Sequence, residues 1–361
     1  MAFFSSRGVV PVWRLQYLNR IRPSLAELIH KEWASPLGRR LTLRQRLDCW
    51  KQGFLSESSL IYDFQNHRRS DYVTDYARFT KTRINGVYTT LLSNKVMFDA
   101  VMRPFQANIP KTYALLSKGK FHALTRDPHI RSSQDVVRWC MAGNDTVLKP
   151  LDGGGGSGII VITVVEGGLF HNGEPITPLE LVGTIERLDR YLIQDKIEQA
   201  DYARIIYPRT TNTIRALTMW DAENDEPFVA VAVQRFGSAR SHPVDNWTQG
   251  GFSAAIDLAT GELSKAVTYP ATGKLEWRNE HPDTGERIAG TCIPDWPAAQ
   301  RQLLDIARAF PYWRCVGWDI VLGIDGTLKI LEANHRSDVN LLQVHGPLLR
   351  DPRVRKFYEH N

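Results

Sequence analysis

Between residues 12 and 110, apolar side chains recur at three- to four-residue spacing, as in PSLAELIHKEWAS and LTLRQRLDCWKQGF. That is the period of helices with one buried face. Pro23-Ser24 supplies a helix start, SNKVMFDAVMRPF continues the pattern, and Pro104 and Pro110 break it. From about residue 111 the pattern changes to short apolar runs bounded by turn residues: TVLKP, GIIVITVV, RYLIQDKI, TIRALTMW, PFVAVAVQRF, FSAAIDL, CVGWDIVLG and LKILEAN. These runs predict strands. Two helical stretches interrupt them, PLELVGTIERLDRY (178–191) and WPAAQRQLLDIARAF (296–310). The expected fold class is α+β: a mainly helical region over 1–110, then a domain rich in antiparallel strands.

One break in this pattern carries chemistry. Residues 149–164 read KPLDGGGGSGIIVITV, and four consecutive glycines carry a large entropic cost on ordering. A nucleotide-binding P-loop needs GK[ST] followed by a helix, and a dinucleotide fingerprint must also open a helix. Here a β-branched, strand-like run follows instead. What remains is a β-hairpin whose tip is a glycine flap, with Lys149 at its root. Backbone N–H groups of such a flap can approach phosphate oxygens without interference from Cβ atoms. A floppy surface turn is the alternative.

A second hairpin lies in VGWDIVLGIDGTLKILEAN. Asp325-Gly326 is a preferred two-residue turn, and it pairs Ile324 with Thr327. Asp319 then faces Glu332, with Asn334 two positions on and on the same side of the sheet. Two opposed carboxylates repel unless a cation lies between them. With an amide oxygen they form a hard oxygen set of the kind magnesium uses when phosphates complete its shell. The other reading is a pair of rim residues each satisfied by an arginine, and a one-residue slip would separate the carboxylates.

Charge and composition narrow the classes. The 361 residues carry a net charge of +6 and suit two or three domains. Residues 1–110 hold 17 Lys/Arg against 8 Asp/Glu, whereas the rest hold 28 against 31. This basic third reads either as a solvated helix surface or as a face for an anionic membrane or glycan. No RNP-like or helix-turn-helix pattern accompanies it, so nucleic acid is not expected. No apolar run approaches the ~20 residues of a spanning helix, and the N-terminus does not resemble a signal peptide. Cys49, Cys140, Cys292 and Cys315 are scattered, which excludes a C-x-x-C zinc site and fits a cytoplasmic protein.

Three further features remain open on the residues alone. Arg215 shares a strand face with Thr211 and Thr213, and is either a carboxylate's structural partner or a phosphate clamp. Lys95 sits near a helix start and by itself reads as surface. The polar stretch 235–254, with Arg235, Arg240, His242, Asp245 and Asn246, reads as a substrate-facing loop or a solvated connection. No H-E-x-x-H and no Ser/His/Asp constellation can be assembled.

In order, GF…YDF (53–64), DYVTDY (71–76), INGVYTTLLSNKVMF (84–98), LKPLDGGGGSGI (148–159), YLIQDKIEQ (191–199), NTIR (212–215), VDN…GGFSAAID (244–257), VGWDIV (316–321) and LEANHRSDVNLLQVHGPLL (331–349) resemble the ATP-grasp superfamily, and more closely its sugar-transfer-associated branch. The resemblance implies two α+β subdomains gripping ATP, over 111–200 and 201–361, behind the helical region. It implies that Lys95 and Lys149 bind ATP phosphates and that Gly153, Gly154, Gly155, Gly156, Ser157 and Gly158 form the flap over them. Gln194, Asp195, Lys196 and Ile197 would be the adenine hinge, with Glu198 or Asp201 on the ribose. Arg215 would stabilise the transferring phosphate, and Asp319, Glu332 and Asn334 would hold Mg²⁺, which Mn²⁺ can replace. The activity it implies is carboxylate activation as an acylphosphate attacked by an amine or thiol, on a small-molecule or glycan-linked acceptor. A kinase acting on a hydroxyl acceptor would use the same ATP site. Many members of the superfamily carry an α/β domain where this chain has its helical region.

Overall fold

The computed structural model describes residues 25–80, 84–152 and 154–360. The expected helix start at Pro23-Ser24 and the flap residue Gly153 lie outside the described residues. The helical region consists of short helices, the longest spanning residues 25–34 and Leu43–Lys51. Thr42 caps the latter, reciprocally with Gln45. Two seven-stranded sheets follow, antiparallel throughout. The first contains β1 (Thr112–Ser117), β2 (Lys120–Ala123), β3 (Thr146–Pro150), β4 (Ile160–Val165), β5 (Gly168–His171), β6 (Glu174–Pro175) and β7 (Tyr191–Asp195). Their order is β2-β1-β7-β3-β4-β5-β6. The second contains β8 (Ile214–Asp221), β9 (Glu226–Phe236), β10 (Phe252–Ile256), β11 (Leu263–Thr268), β12 (Trp277–Arg278), β13 (Cys315–Leu322) and β14 (Leu328–Asn334). Their order is β12-β11-β10-β9-β8-β13-β14. The α+β expectation is met.

Helices cover the first sheet on one side. Ser133–Met141 and Pro178–Glu186 bury Val136, Cys140, Leu181 and Ile185 against Leu148, Ile162 and Ile193. Each such aliphatic side chain contributes about 2 kcal/mol on burial. The helix expected over 178–191 ends at Glu186, because Arg190 turns at φ +61° and Tyr191 is already paired with Leu116 in the sheet. Its start does follow sequence signals: Pro178 opens it and Thr177 and Glu180 form a capping box.

The second sheet has two apolar faces. One packs on the helix Trp296–Arg308 and on Leu92, Phe98 and Met102. The other shares a core with Phe54, Tyr62, Tyr72, Val354 and Phe357. Polar contacts tie the helical region to the same place: Gln343 exchanges hydrogen bonds with the Val73 backbone at 2.8 and 3.1 Å.

Both functional hairpins form, one of them by a different route. β3 and β4 pair across the glycine loop, Val147 with Val161 and Leu148 with Ile160. In the β13–β14 hairpin, Asp325-Gly326 is not a two-residue turn. Gly323 N–H donates to Thr327 O at 2.9 Å, so the connection spans 323–327 and the pairs run from Leu322–Leu328 to Ile320–Ile330. A β-bulge at Leu331 then restores Asp319 opposite Glu332 and Gly317 opposite Asn334. The expected pairing is reached by two departures that cancel.

Candidate active site

Charged side chains stand at one end of the second sheet, on neighbouring strands. β13 pairs with β8 so that Asp319 lies opposite Arg215, and with β14 so that it lies opposite Glu332. The Arg215 guanidinium grips Asp319 from two nitrogens, Nε to Oδ1 at 2.6 Å and Nη2 to Oδ2 at 2.9 Å. Both residues are 8% exposed. Burial alone would raise the Asp319 pKa, but the charges of Arg215 and then Arg235 outweigh it and hold the carboxyl at about 2. Burial disfavours the Arg215 charge, and the Asp319 carboxylate more than restores it. Of the two readings of Arg215, the carboxylate partner is therefore present, and the side chain also lines the cleft.

Arg235 and Asp245 complete this floor. Arg235 stands 3.3 Å from Asp245 and 3.4 Å from Asp319. Asp245 Oδ2 accepts from the Thr213 N–H at 2.7 Å and hydroxyl at 2.6 Å. The sequence places both in a polar stretch that reads as a substrate-facing loop or a solvated connection, with no pairing between them. The available signal was a charge ending the apolar run FVAVAVQRF, but its pairing with Asp245 crosses a long loop.

The first sheet contributes Lys149 and backbone, and the helical region contributes Lys95. Lys149 Nζ lies 3.3 Å from Glu332 Oε2 and donates to Leu331 O at 2.9 Å. That carbonyl belongs to the bulged residue, so the bulge serves the site directly. Lys95 opens a helix capped by Asn94, and its Nζ donates to Leu151 O at 3.3 Å. Burial pushes its pKa down, with Glu332 opposing and Lys149 reinforcing that shift. The structure thus brings Lys95, Lys149 and Glu332 together.

The flap folds over this group. Gly155, Gly156 and Gly158 hold φ of +66°, +78° and +76°, where a side chain is strained. A Cβ on Gly156 would stand 2.7 Å from Val244, so the run also lets the flap pack closely. Asn246 and Gln249 donate to Gly155 O at 2.6 and 3.2 Å, linking the flap to the polar loop. Gly154 and Ser157 line the space beside Lys95 and Lys149.

At the expected hinge, three polar side chains are engaged with the first sheet. Gln194 donates to Thr112 Oγ1 at 2.8 Å, Asp195 accepts from the Tyr113 hydroxyl, and Lys196 donates to Asp145 at 2.7 Å. Ile197 lines the cleft. Asp201 does not reach it: its side chain is 61% exposed and paired with Arg204 at 2.8 Å, whereas Glu198 lines an adjoining cavity.

Between the sheets these residues enclose a cleft of about 1080 Å³, mouth included. Lys149, Gly154 and Ile159 form one wall and Arg215, Asp319, Glu332 and Asn334 the other. Among the described residues no three His, Cys, Asp or Glu side chains gather as a metal site. The oxygen set is two carboxylates and one amide.

Solved structures with similarity include the ATP-grasp ligase PsnB complexed with a minimal precursor, at 16% identity and TM-score 0.38, over 76% of this chain and 64% of that one. The chain thus spans less than two thirds of that ligase. A Chryseobacterium gregarium RiPP-associated ATP-grasp ligase in complex with ADP and leader and core peptide matches at 10% and 0.37, over 91% and 74% of the two chains. N5-carboxyaminoimidazole synthetase from Staphylococcus aureus, complexed with ADP, matches at 8% and 0.36, over 70% and 47%. No curated protein sequence matches significantly. Residues 74–356 match the family model described as sugar-transfer associated ATP-grasp, and with a cleft between two antiparallel sheets under a glycine flap, this chain belongs to that family.

Proposed function

We propose that this chain is an ATP- and Mg²⁺-dependent ligase that activates a carboxylate as an acylphosphate and passes it to an amine or thiol. The observation that carries the reading is the arrangement across the cleft. Lys149 and the flap backbone come from the first sheet, and Glu332, Asp319 and Asn334 face them from the second.

The residues fit a magnesium ion. Asp319 and Glu332 supply hard carboxylate oxygens, and surrounding cations keep Asp319 ionised. Asp319 Oδ2 receives one hydrogen bond from Arg215 and retains a second lone-pair direction, whereas Oδ1 also faces Arg235 at 3.4 Å. The Asn334 amide nitrogen is buried without a partner among the described residues, so a phosphate oxygen beside it would satisfy it while the amide oxygen faces the metal. Bound there, Mg²⁺ neutralises charge on the phosphates.

The chain's own groups have distinct tasks in this scheme. Lys149 and Lys95 counter phosphate charge, and the flap's N–H groups close over the same oxygens. Arg215, anchored by Asp319, presents a fixed cation to the phosphoryl group in flight, and Arg235, which lines the same cleft, shares that carboxylate. Ile197 and the hinge backbone would receive the adenine. Glu198 is better placed than Asp201 for the ribose. An acceptor of glycan or specialised-metabolite type, such as a uronic or amino acid, follows from the family's association with sugar transfer. Four unpaired cysteines support a cytoplasmic setting.

A coupled ADP-release screen tests the reading with carboxylates and amines supplied singly and together. ADP released only when both are present is expected. Phosphate transferred to a hydroxyl with no amine requirement would replace the ligase with a kinase.

A further inference from the structure

The two longest helices of the N-terminal region are turned inside out. On residues 25–34, Leu25, Ile29 and Trp33 follow i, i+4, i+8 spacing and are 39%, 60% and 60% exposed. On Leu43–Lys51, Leu43, Leu47 and Trp50 follow i, i+4, i+7 spacing and are 65%, 43% and 37% exposed. The inward sides are mostly polar or small, with half-buried Leu28 the one large apolar side chain among them. Glu32 is 4% exposed, accepts from the Ser56 N–H and hydroxyl at 2.8 and 2.6 Å, and pairs with Arg46 at 3.0 Å. Cys49 is the other buried residue there. A surface helix of a globular protein ordinarily places its apolar stripe inward. Here both stripes face out and meet where Arg46 lies 5.0 Å from the Trp33 ring and 5.3 Å from the Trp50 ring. Contiguous exposed apolar surface of this kind marks an interaction site.

Charge identifies the occupant. Residues 1–52 hold ten Lys/Arg and three Asp/Glu. All three acids are matched within the fold, Glu27 with Arg336, Glu32 with Arg46 and Asp48 with Arg69. Exposed Arg39 and Arg40 donate to backbone carbonyls, which leaves their charge uncompensated, and Arg44 and Lys51 are exposed on the second helix. A second copy docked face to face would bring the same sign against this rim. Residues 1–24, with four arginines and no acid, would do likewise. Apolar stripes edged by tryptophan and arginine match the boundary between headgroups and acyl chains, where tryptophan is enriched and basic residues meet anionic lipid. We infer that the face formed by residues 25–34 and Leu43–Lys51 docks on an anionic lipid bilayer, the stripes entering the interface and the arginines contacting headgroups. This surface shares no residue with the cleft, so it stands or falls separately from the ligase reading.

Co-sedimentation of the full chain with vesicles tests it, using phosphatidylcholine alone and phosphatidylcholine with about 30% phosphatidylglycerol. Binding is expected only to the anionic vesicles, and high salt should weaken it. The paired substitution Leu43→Gln and Leu47→Gln, at exposed positions, should lower bound protein at least about tenfold with the melting temperature unchanged. No binding to anionic vesicles, or equal binding by the variant, would overturn the inference. So would a concentration-dependent dimer that the variant abolishes, since the face would then belong to a second copy. Leucine-dependent binding to soluble polyglutamate in place of vesicles would assign it to an acidic protein.

Discussion

The two sheets do different work at the cleft. The second sheet supplies a floor of buried charge, with Arg215, Asp319, Arg235 and Asp245 linked in one network. Arg215 and Asp319 stand directly opposite on adjacent strands. The first sheet supplies Lys149 from β3 and a glycine flap tied down by Asn246 and Gln249. Fixed charges need a frame that resists rearrangement, and paired strands provide one. A cover that must admit and release a nucleotide needs few side-chain contacts, and glycine provides that. Charge and cover are thus divided between two sheets that face each other across the cleft.

The largest effect should come from the floor's carboxylates. Glu332→Gln should lower ADP formation about 10³-fold with little change in melting temperature, because Glu332 is partly hydrated. Steady-state turnover beside a thermal melt checks both halves. Arg215→Met should differ by costing stability too. It leaves Asp319 buried against Arg235 alone, a loss of about 3 kcal/mol in urea unfolding. Adding Asp319→Asn to that variant should recover part of the loss, and no recovery would mean the pair is not what holds the floor. On the covering side, Gln249→Ala removes one hydrogen bond to the flap. It should raise the KM for ATP about fivefold and leave unfolding unchanged. An equal loss of stability would erase the contrast between floor and cover.

The smallest effect concerns acid. Burial lowers the His345 pKa from 6.5 to about 3, and its Nε2 lies 2.9 Å from Ser253 Oγ. A depressed pKa contributes stability above the unfolded value and loses it as pH falls toward the folded one. His345→Gln should therefore flatten the pH dependence of unfolding below 6.5, by about 1 kcal/mol near pH 5.5. Asp319 behaves likewise at lower pH, its contribution present above 3.8 and lost as pH falls toward about 2.

How far the site was legible follows from where its information lies. Asp319 and Glu332 belong to one hairpin, and the Asp325-Gly326 turn together with strand alternation puts them on one face. The turn was misread, because nothing local to GIDGT distinguishes the wider connection, and the bulge at Leu331 compensated. The flap was legible from composition and from the strand that follows it. Arg235 and Asp245 were seen but not joined, since their contact depends on how a loop returns across β8 and β9. The helix Ser133–Met141 passed unread although Ser132 caps it by accepting from Asp135 N. The resemblance offered Glu198 or Asp201 for the ribose, yet Asp201 stands exposed outside the cleft, paired with Arg204 one turn on. The outward stripes of the N-terminal helices have the period of buried ones, and only the packed structure shows which way they face.

Calorimetric titration of ADP into the protein, with and without Mg²⁺, tests most directly whether the two sheets form one nucleotide site. Wild type should bind at least about tenfold more tightly with Mg²⁺, and folded Glu332→Gln should lose that difference. Equal affinity with and without the metal, or an unchanged metal dependence in the variant, would contradict the account.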